Sequence, residues 1–398
     1  MQPPKITSIF LERSGDLPLH VYTLSELCCE PTHLKRIKTL RLRESGLDGL
    51  AEIFSRLTVL SPILTKVIIE GTGSTYGYCP NLPPLFGDIS TIRSLSLDGI
   101  SFDAKLLRFT SLTSLTLYIL GALLPPFFDL LAVNPALESI SISAWGEIPL
   151  EKVDGPAVTL DNLVTFHCRD ASKHILSRLS IPHSTSIQIE DTGPPLSLSG
   201  PLPASITNIR CLSQVFSLHL TTATDTAYSG QTTDVHSVSL VGRGGTVDVH
   251  WVVGCDGLQE FDPRPLSLDR VRVLSITHNT NLERPRASEL DLSPLFNLMK
   301  SLEVLKIHSC LPTDRHFILS PLLDGSICPP LHTVEIIRCS GEVQWLSALL
   351  GLAIRRRDTG LALRKVLISP DASAGSPIRD YLKKFRGVLS GSAEIGTV

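Results

Sequence analysis

Apolar residues recur along this chain in one short pattern, apolar-x-apolar, with polar residues between and beside them. The clearest copies are Leu40-Arg41-Leu42, Val67-Ile68-Ile69, Leu95-Ser96-Leu97, Leu115-Thr116-Leu117 and Ile140-Ser141-Ile142. Later copies are Ile187-Gln188-Ile189, Leu218-His219-Leu220, Val238-Ser239-Leu240, Leu274-Ser275-Ile276, Leu305-Lys306-Ile307, Val334-Glu335-Ile336 and Val366-Leu367-Ile368, with Val164-Thr165-Phe166 a weaker member. Strict alternation is the signature of a half-buried β-strand, whose successive side chains leave opposite faces.

From Leu40 to Val366 the copies take twelve steps over 326 residues, a mean of about 27, which matches the period of leucine-rich repeats. In several copies another apolar residue stands three positions before the triplet, as Leu112, Leu137, Leu302 and Leu331 do, completing L-x-x-L-x-L. One such strand buries a single apolar row and is not stable alone, so stacked copies must share a core. Apolar residues at helical spacing in 46–57, 125–132, 292–299, 316–323 and 343–354 supply return segments. The expected fold is therefore α/β: a leucine-rich-repeat solenoid with a curved parallel sheet on the concave face and helices and irregular loops on the convex face. Residues 1–16 form a leader helix, 17–370 the array, and 371–398 a C-terminal capping helix and tail.

The steps are irregular, from 20 to 36 residues. The longest contains alternating apolar residues on both sides of Gly242-Arg243-Gly244-Gly245, which predicts a hairpin around 238–253. Residues 190–235 are rich in Ser, Thr, Gly and Pro and predict loops, either decorating the solenoid or hinging two sub-arrays.

The leader Leu11-Glu12-Arg13-Ser14-Gly15-Asp16-Leu17-Pro18-Leu19 resembles the segment that follows the F-box in many fungal F-box proteins. Leu302-x-x-Leu305-x-Ile307-x-x-Cys310 with Thr313-Asp314, and Leu331-x-x-Val334-x-Ile336-x-x-Cys339, resemble the cysteine-containing F-box leucine-rich repeats. The resemblance covers most of the chain, and its most specific parts are the leader and these two repeats. It implies a substrate-binding array of a ubiquitin-ligase receptor. An F-box docks on the Skp adaptor of a cullin complex, and nothing before Lys5 supplies one, so Skp and cullin are expected as partners only if an F-box stands upstream. The nearest mimic, Leu47 to Leu57, lacks the opening Leu-Pro pair and reads as a return helix. Cys310 and Cys339 are expected to be structural, filling the turn after each strand.

Composition agrees with an array filled by Leu, Ile and Val: 42% of residues are hydrophobic, 19% charged and 6% aromatic. The net charge of −3 provides no chain-wide basic field and disfavours general nucleic-acid binding. Nine cysteines without a CxxC pair support neither a disulfide framework nor a zinc site. Vicinal Cys28 and Cys29 read as buried thiols. The N-terminus lacks a signal-peptide core, and no Asn-x-Ser/Thr sequon occurs, so a cytoplasmic or nuclear address is expected. The uncharged stretch 110–128 approaches the length of a membrane span, but its strand-like alternation and Pro125-Pro126 argue against one.

Candidate chemistry is sparse. Gly71-Thr72-Gly73-Ser74-Thr75-Tyr76-Gly77 departs from the dinucleotide fingerprint by one residue, and Pro80, Pro83 and Pro84 deny it a following helix, so no cofactor is expected. His167-Cys168-Arg169-Asp170 contains base, nucleophile and acid types, yet neighbours on a strand point to opposite faces and cannot converge. No catalytic or metal-binding residues are predicted. Arg355-Arg356-Arg357 suits the negative end of a helix dipole ahead of the stop Asp358-Thr359-Gly360, or alternatively forms an anion or nuclear-import patch. Arg379, Lys383, Lys384 and Arg386 make one basic face of the predicted last helix, 377–389.

If the triplet residues face the core, those between and beside them form the concave surface. The charged, aromatic and histidine positions there are Arg41, Arg43, Lys66, Glu70, Asp98, Tyr118, His219, Lys306, His308 and Glu335, set among Ser and Thr. These ten are the predicted partner-binding residues. An extended polar surface suits a protein partner better than a small buried substrate. The function expected is non-enzymatic recognition of a protein, with an array-based scaffold or inhibitor unrelated to ubiquitin as the alternative.

Overall fold

The computed structural model describes residues 4–22, 31–44, 61–71, 90–98, 109–120, 124–145, 155–169, 172–191, 209, 215–226, 232–242, 245–253, 268–279, 292–308, 318–339, 343–370, 377–389 and 392–395. The chain divides into two compact units, Met1–Pro182 and His183–Val398. Both are α/β and built on a sheet in which parallel pairing predominates.

In the first unit helix α1 (Pro4–Arg13) leads to β1 (Leu19–Val21), the short α2 (Pro31–Leu34) and β2 (Ile37–Glu44). Strands β3 (Lys66–Gly71), β4 (Ser94–Asp98), β5 (Ser114–Leu120) and β6 (Ser139–Trp145) follow, with α3 (Leu124–Ala132) between the last two. Then come β7 (Val158–Thr159), β8 (Thr165–Arg169), α4 (Ser172–Leu176) and β9 (Leu179–Ser180). The sheet runs β1-β2-β3-β4-β5-β6-β8, parallel at every step. Strands β7 and β9 pair separately; the triplet pattern does not reveal them because each has only two residues.

Registers are consistent from strand to strand. Leu40, Val67, Leu95, Leu115, Ile140 and Phe166 align in one row, and Leu42, Ile69, Leu97, Leu117, Ile142 and Cys168 in a second. A third buried set, Ile37, Leu64, Ile92, Leu112, Leu137 and Leu163, stands three residues before the first row in every copy, and each of its members is at most 3% exposed. The full L-x-x-L-x-L unit is thus buried in every copy, including those in which the first position is Ile. One backbone bond repeats with it. The N–H groups of Arg93 and Ser94 both donate to the Thr65 carbonyl, those of Thr113 and Ser114 to Arg93, those of Glu138 and Ser139 to Thr113, and those of Val164 and Thr165 to Glu138. Each new strand therefore starts against the carbonyl of the one before it. Asn134, wholly buried, completes a step elsewhere: its side chain accepts from the Leu112 N–H at 2.9 Å and donates to the Phe109 and Leu130 carbonyls at 2.8 and 2.9 Å.

The second unit contains β10 (Ser186–Asp191), β11 (Val215–Thr226), β12 (Thr232–Gly242), β13 (Gly245–Val253) and β14 (Val273–Asn279). It continues through α5 (Ser293–Leu298), β15 (Val304–His308), β16 (Thr333–Cys339), α6 (Val343–Asp358), β17 (Lys365–Pro370), α7 (Pro377–Arg386) and β18 (Ser392–Ile395). Its spatial order is β10-β13-β12-β11-β14-β15-β16-β17-β18. The expected repeat strand at Val238-Ser239-Leu240 is corrected here: it lies in β12, antiparallel to both β11 and β13. Alternation has the same period in parallel and antiparallel strands, so the triplet alone does not distinguish them. The turn joining β12 to β13 brings Gly242 opposite Gly245. From β14 onward the repeat pattern returns, with Leu274, Leu305, Val334 and Val366 in register and the doubly used carbonyl recurring at Arg272, Glu303 and His332. Residues 392–395, read from sequence as tail, pair in parallel with β17.

The expected return segments at 125–132, 292–299 and 343–354 coincide with α3, α5 and α6, and 316–323 ends in a 3-10 turn at Ser320–Leu323. The return segment 46–57, the vicinal Cys28 and Cys29, the 72–77 loop, and Cys310 with Thr313-Asp314 lie outside the described residues. Stretch 110–128 divides between β5 and the start of α3, and no helix among the described residues is long and apolar enough to cross a membrane.

Candidate polar sheet face

The alternation that buries the triplets leaves the intervening residues on the other face of each sheet. Register then decides which of them meet. Arg41 of β2 reaches Glu70 of β3 with Nη2 2.6 Å from Oε1, and Lys306 of β15 reaches Glu335 of β16 with Nζ 2.8 Å from Oε2. Four of the ten predicted contact residues therefore pair with one another. Considering each strand alone hides this, because parallel neighbours only ~4.8 Å apart bring long side chains within reach. Their exposures are modest, 41% and 23% for the first pair and 35% and 19% for the second, and partly exposed pairs of this kind contribute about 0–1 kcal/mol.

Hydroxyl and imidazole groups make similar links. Thr165 Oγ1 donates to Ser139 Oγ at 2.8 Å, Ser141 Oγ lies 3.2 Å from His167 Nδ1, and His20 Nδ1 lies 3.0 Å from Thr39 Oγ1. In the second unit Ser217 Oγ lies 3.3 Å from His219 Nε2 two residues along the same strand, β11. Of the other predicted residues, Arg43, Lys66, Asp98 and His219 are exposed and His308 is half-buried. Tyr118 stands in register with Ser143.

The sequence His167-Cys168-Arg169 is split by its strand: His167 is half-buried, Cys168 fully buried and Arg169 exposed. No group of three metal-ligating side chains occurs among the described residues.

Two sets of residues escape a reading of the triplets. One is Lys35, Lys38 and Arg93, exposed at the starts of β2 and β4. They lie in the variable positions of the repeat, where no pattern marks them. The other is Arg356. Instead of capping its own helix or joining a surface patch, it is wholly buried, and its guanidinium donates to the carbonyls of Cys328, Pro329 and Leu331 at 3.0, 3.0 and 3.2 Å, with Ile327 at 3.4 Å. Arg355 and Arg357 stay exposed. Burial draws the Arg356 pKa down, the nearby Cys328 opposing this in part. Burial also pushes the Cys328 thiol up to about 11, partly offset by the Arg356 charge. Asp324, at the surface, is held below the usual carboxylate range by the Ser326 N–H, which donates to it at 2.9 Å, and by the Ser326 side chain. The chain matches no protein-family model and no curated protein.

Proposed function

We propose that this chain is a non-enzymatic recognition array: a leucine-rich-repeat solenoid of the F-box type whose polar sheet face, concave in such a solenoid, binds a protein partner. The observation that carries the proposal is the repeated unit itself. The same buried L-x-x-L-x-L, the same doubly accepting carbonyl and the same outward polar positions recur from strand to strand, as a stack of near-identical units requires. Ser94, Ser96, Ser114, Thr116, Ser139 and Ser141 give three adjacent strands of the first unit an outward row of short hydroxyl side chains. Hydroxyls both donate and accept, which suits the backbone and polar side chains of a polypeptide. The resemblance to fungal F-box proteins supports a substrate-binding role in a ubiquitin-ligase receptor, with Skp and cullin as partners only if an F-box is supplied upstream.

Affinity capture of the full chain with mass spectrometry tests this, comparing wild type with Ser96→Arg/Ser141→Arg, which places bulk on the face and leaves the core untouched. The expected result is a protein partner recovered by wild type and lost by the variant at unchanged thermal stability. Recovery of Skp and cullin subunits supports the receptor role, and a partner without them supports the scaffold or inhibitor. An identical protein set from both chains would refute binding through this face.

A further inference from the structure

We infer that the starts of β2, β3 and β4 form a docking surface for a carboxylate-rich segment of the protein partner. This rests on the recognition role proposed above and names the chemistry of the partner at one place. Five cations gather there: Lys35 and Arg36 in the turn before β2, Lys38 in β2, Lys66 at the start of β3, and Arg93 just before β4. Backbone bonds set their spacing. The Thr65 N–H donates to the Lys38 carbonyl at 3.0 Å and the Arg93 N–H to the Thr65 carbonyl at 2.9 Å, while Lys66 lies in register between Thr39 and Ser94. With neighbouring strands ~4.8 Å apart, the three strand starts span roughly 10 Å.

Among the described residues these charges are uncompensated. Arg36 donates to the Leu17 carbonyl and Ser14 Oγ, and Arg93 to the Ser111 carbonyl at 2.9 Å, all neutral acceptors. Among the described residues no carboxylate pairs with any of the five. Glu70 lies at the far end of β3 and is held by Arg41. Lys35, Lys38, Lys66 and Arg93 are exposed. A chain of net charge −3 thus carries, at three adjacent strand starts, a local field of opposite sign over a span comparable to the Debye length of ~8 Å. Carboxylates from a partner are steered toward that field. At ~3.3 Å per residue, about four residues of extended chain cover the surface. A polynucleotide fits less well, because its charge continues past the patch onto a molecule that is negative overall.

Fluorescence anisotropy on the full chain, with labelled octaglutamate, octaserine and a single-stranded oligothymidylate as probes, tests the inference. Octaglutamate is expected to bind, to weaken as salt rises, and to lose roughly tenfold in affinity in Lys38→Glu/Lys66→Glu. Octaserine is expected not to bind. Lys38→Gln/Lys66→Gln gives a smaller loss and replaces the reversal variant if that one fails to fold. Absence of octaglutamate binding by wild type, indifference to both double variants, or tighter binding of the oligonucleotide overturns the inference. A captured partner lost with Ser96→Arg/Ser141→Arg but retained with Lys38→Glu/Lys66→Glu overturns this inference alone and leaves the recognition role standing.

Discussion

At the scale of single residues, Arg356 is the most consequential side chain described. A guanidinium removed from water costs several kcal/mol unless fixed dipoles replace its hydration. Here backbone carbonyls of residues 327–331 do so. They belong to a turn in which Cys328 holds φ +47°, a left-handed conformation uncommon outside glycine, so Arg356 secures backbone that its own sequence does not favour. Arg356→Met is expected to lower stability by about 3–5 kcal/mol in urea unfolding, because it leaves buried carbonyls unsatisfied. Arg356→Lys is expected to recover only part of this, since an ammonium lacks the planar fork. A loss for Arg356→Met below about 1 kcal/mol would show that the turn holds itself. Cys328 adds a pH dependence. Its thiol is raised in the fold from about 9 to about 11, so the folded state retains this proton where the unfolded chain has released it. The associated stability is complete below pH 9 and is lost as pH rises through 11, by about 2–3 kcal/mol in all. Cys328→Ala is expected to flatten the wild-type stability slope across that window, and equal slopes would exclude the thiol as its source. The buried role of Arg356 was in principle legible: it stands seven, four and three residues after Leu349, Leu352 and Ala353, all buried on α6. Its position on that stripe was masked by charge, which draws attention to the dipole first.

At the scale of elements, two glycines separate backbone cost from packing cost. Helix α6 ends where the Leu361 N–H donates to the Arg356 carbonyl at 2.8 Å and the Gly360 N–H to Arg357 at 2.9 Å, with Gly360 at φ +77°. This pair of bonds is a Schellman cap, as the stop after Asp358 predicted. A Cβ at Gly360 meets nothing within 4 Å, so Gly360→Ala is expected to cost only the left-handed penalty, about 1 kcal/mol by thermal unfolding. Gly155, at φ +151°, differs because a Cβ there collides with the Arg178 guanidinium. That group lies 4.1 Å from the centre of the Phe128 ring and donates to the Pro156 carbonyl at 3.1 Å. Gly155→Ala is therefore expected to cost more than Gly360→Ala, and the reverse order would mean that Arg178 relocates freely. The repeat strands were readable because burial selects Leu, Ile and Val at fixed spacing. Strand partners were less readable. Nothing in Ile187-Gln188-Ile189 announces that β10 pairs with β13 rather than β11, since the choice depends on a hairpin dozens of residues away. Cross-strand ion pairs share that difficulty, as Arg41 and Glu70 are 29 residues apart. Reversing Arg41 to probe partner binding therefore also breaks an internal pair, and Arg43 and Lys66 are the cleaner probes of the face.

At the scale of the molecule, the two compact units contain stacks in which each strand bonds its immediate neighbours, and the proposed repeat array requires that stability be a local sum rather than a property of one central core. In the first unit the rows from β2 to β8 are continuous, yet Leu115 of β5 sits in register with Leu95 on one side and Ile140 on the other. Leu115 is fully buried, so Leu115→Ala is expected to cost about 2–5 kcal/mol. In an ordinary globular core that loss would lower protection of every slowly exchanging amide together. In a stack it is concentrated on the strands that share the cavity and declines with each interface crossed. Native-state hydrogen exchange should therefore show the largest loss of protection in β4, β5 and β6, a smaller one in β3 and β8, and the least in β1 and β2. Leu305→Ala, buried to the same degree in β15, provides the counterpart in the second unit, with β14 and β16 most affected. A uniform loss across all strands of either unit would show a single cooperative core and remove the physical ground for a repeat array. A graded loss would establish the nearest-neighbour behaviour on which an extended, independently variable recognition face depends: outward residues on one strand can then change without unfolding the strands that carry the rest.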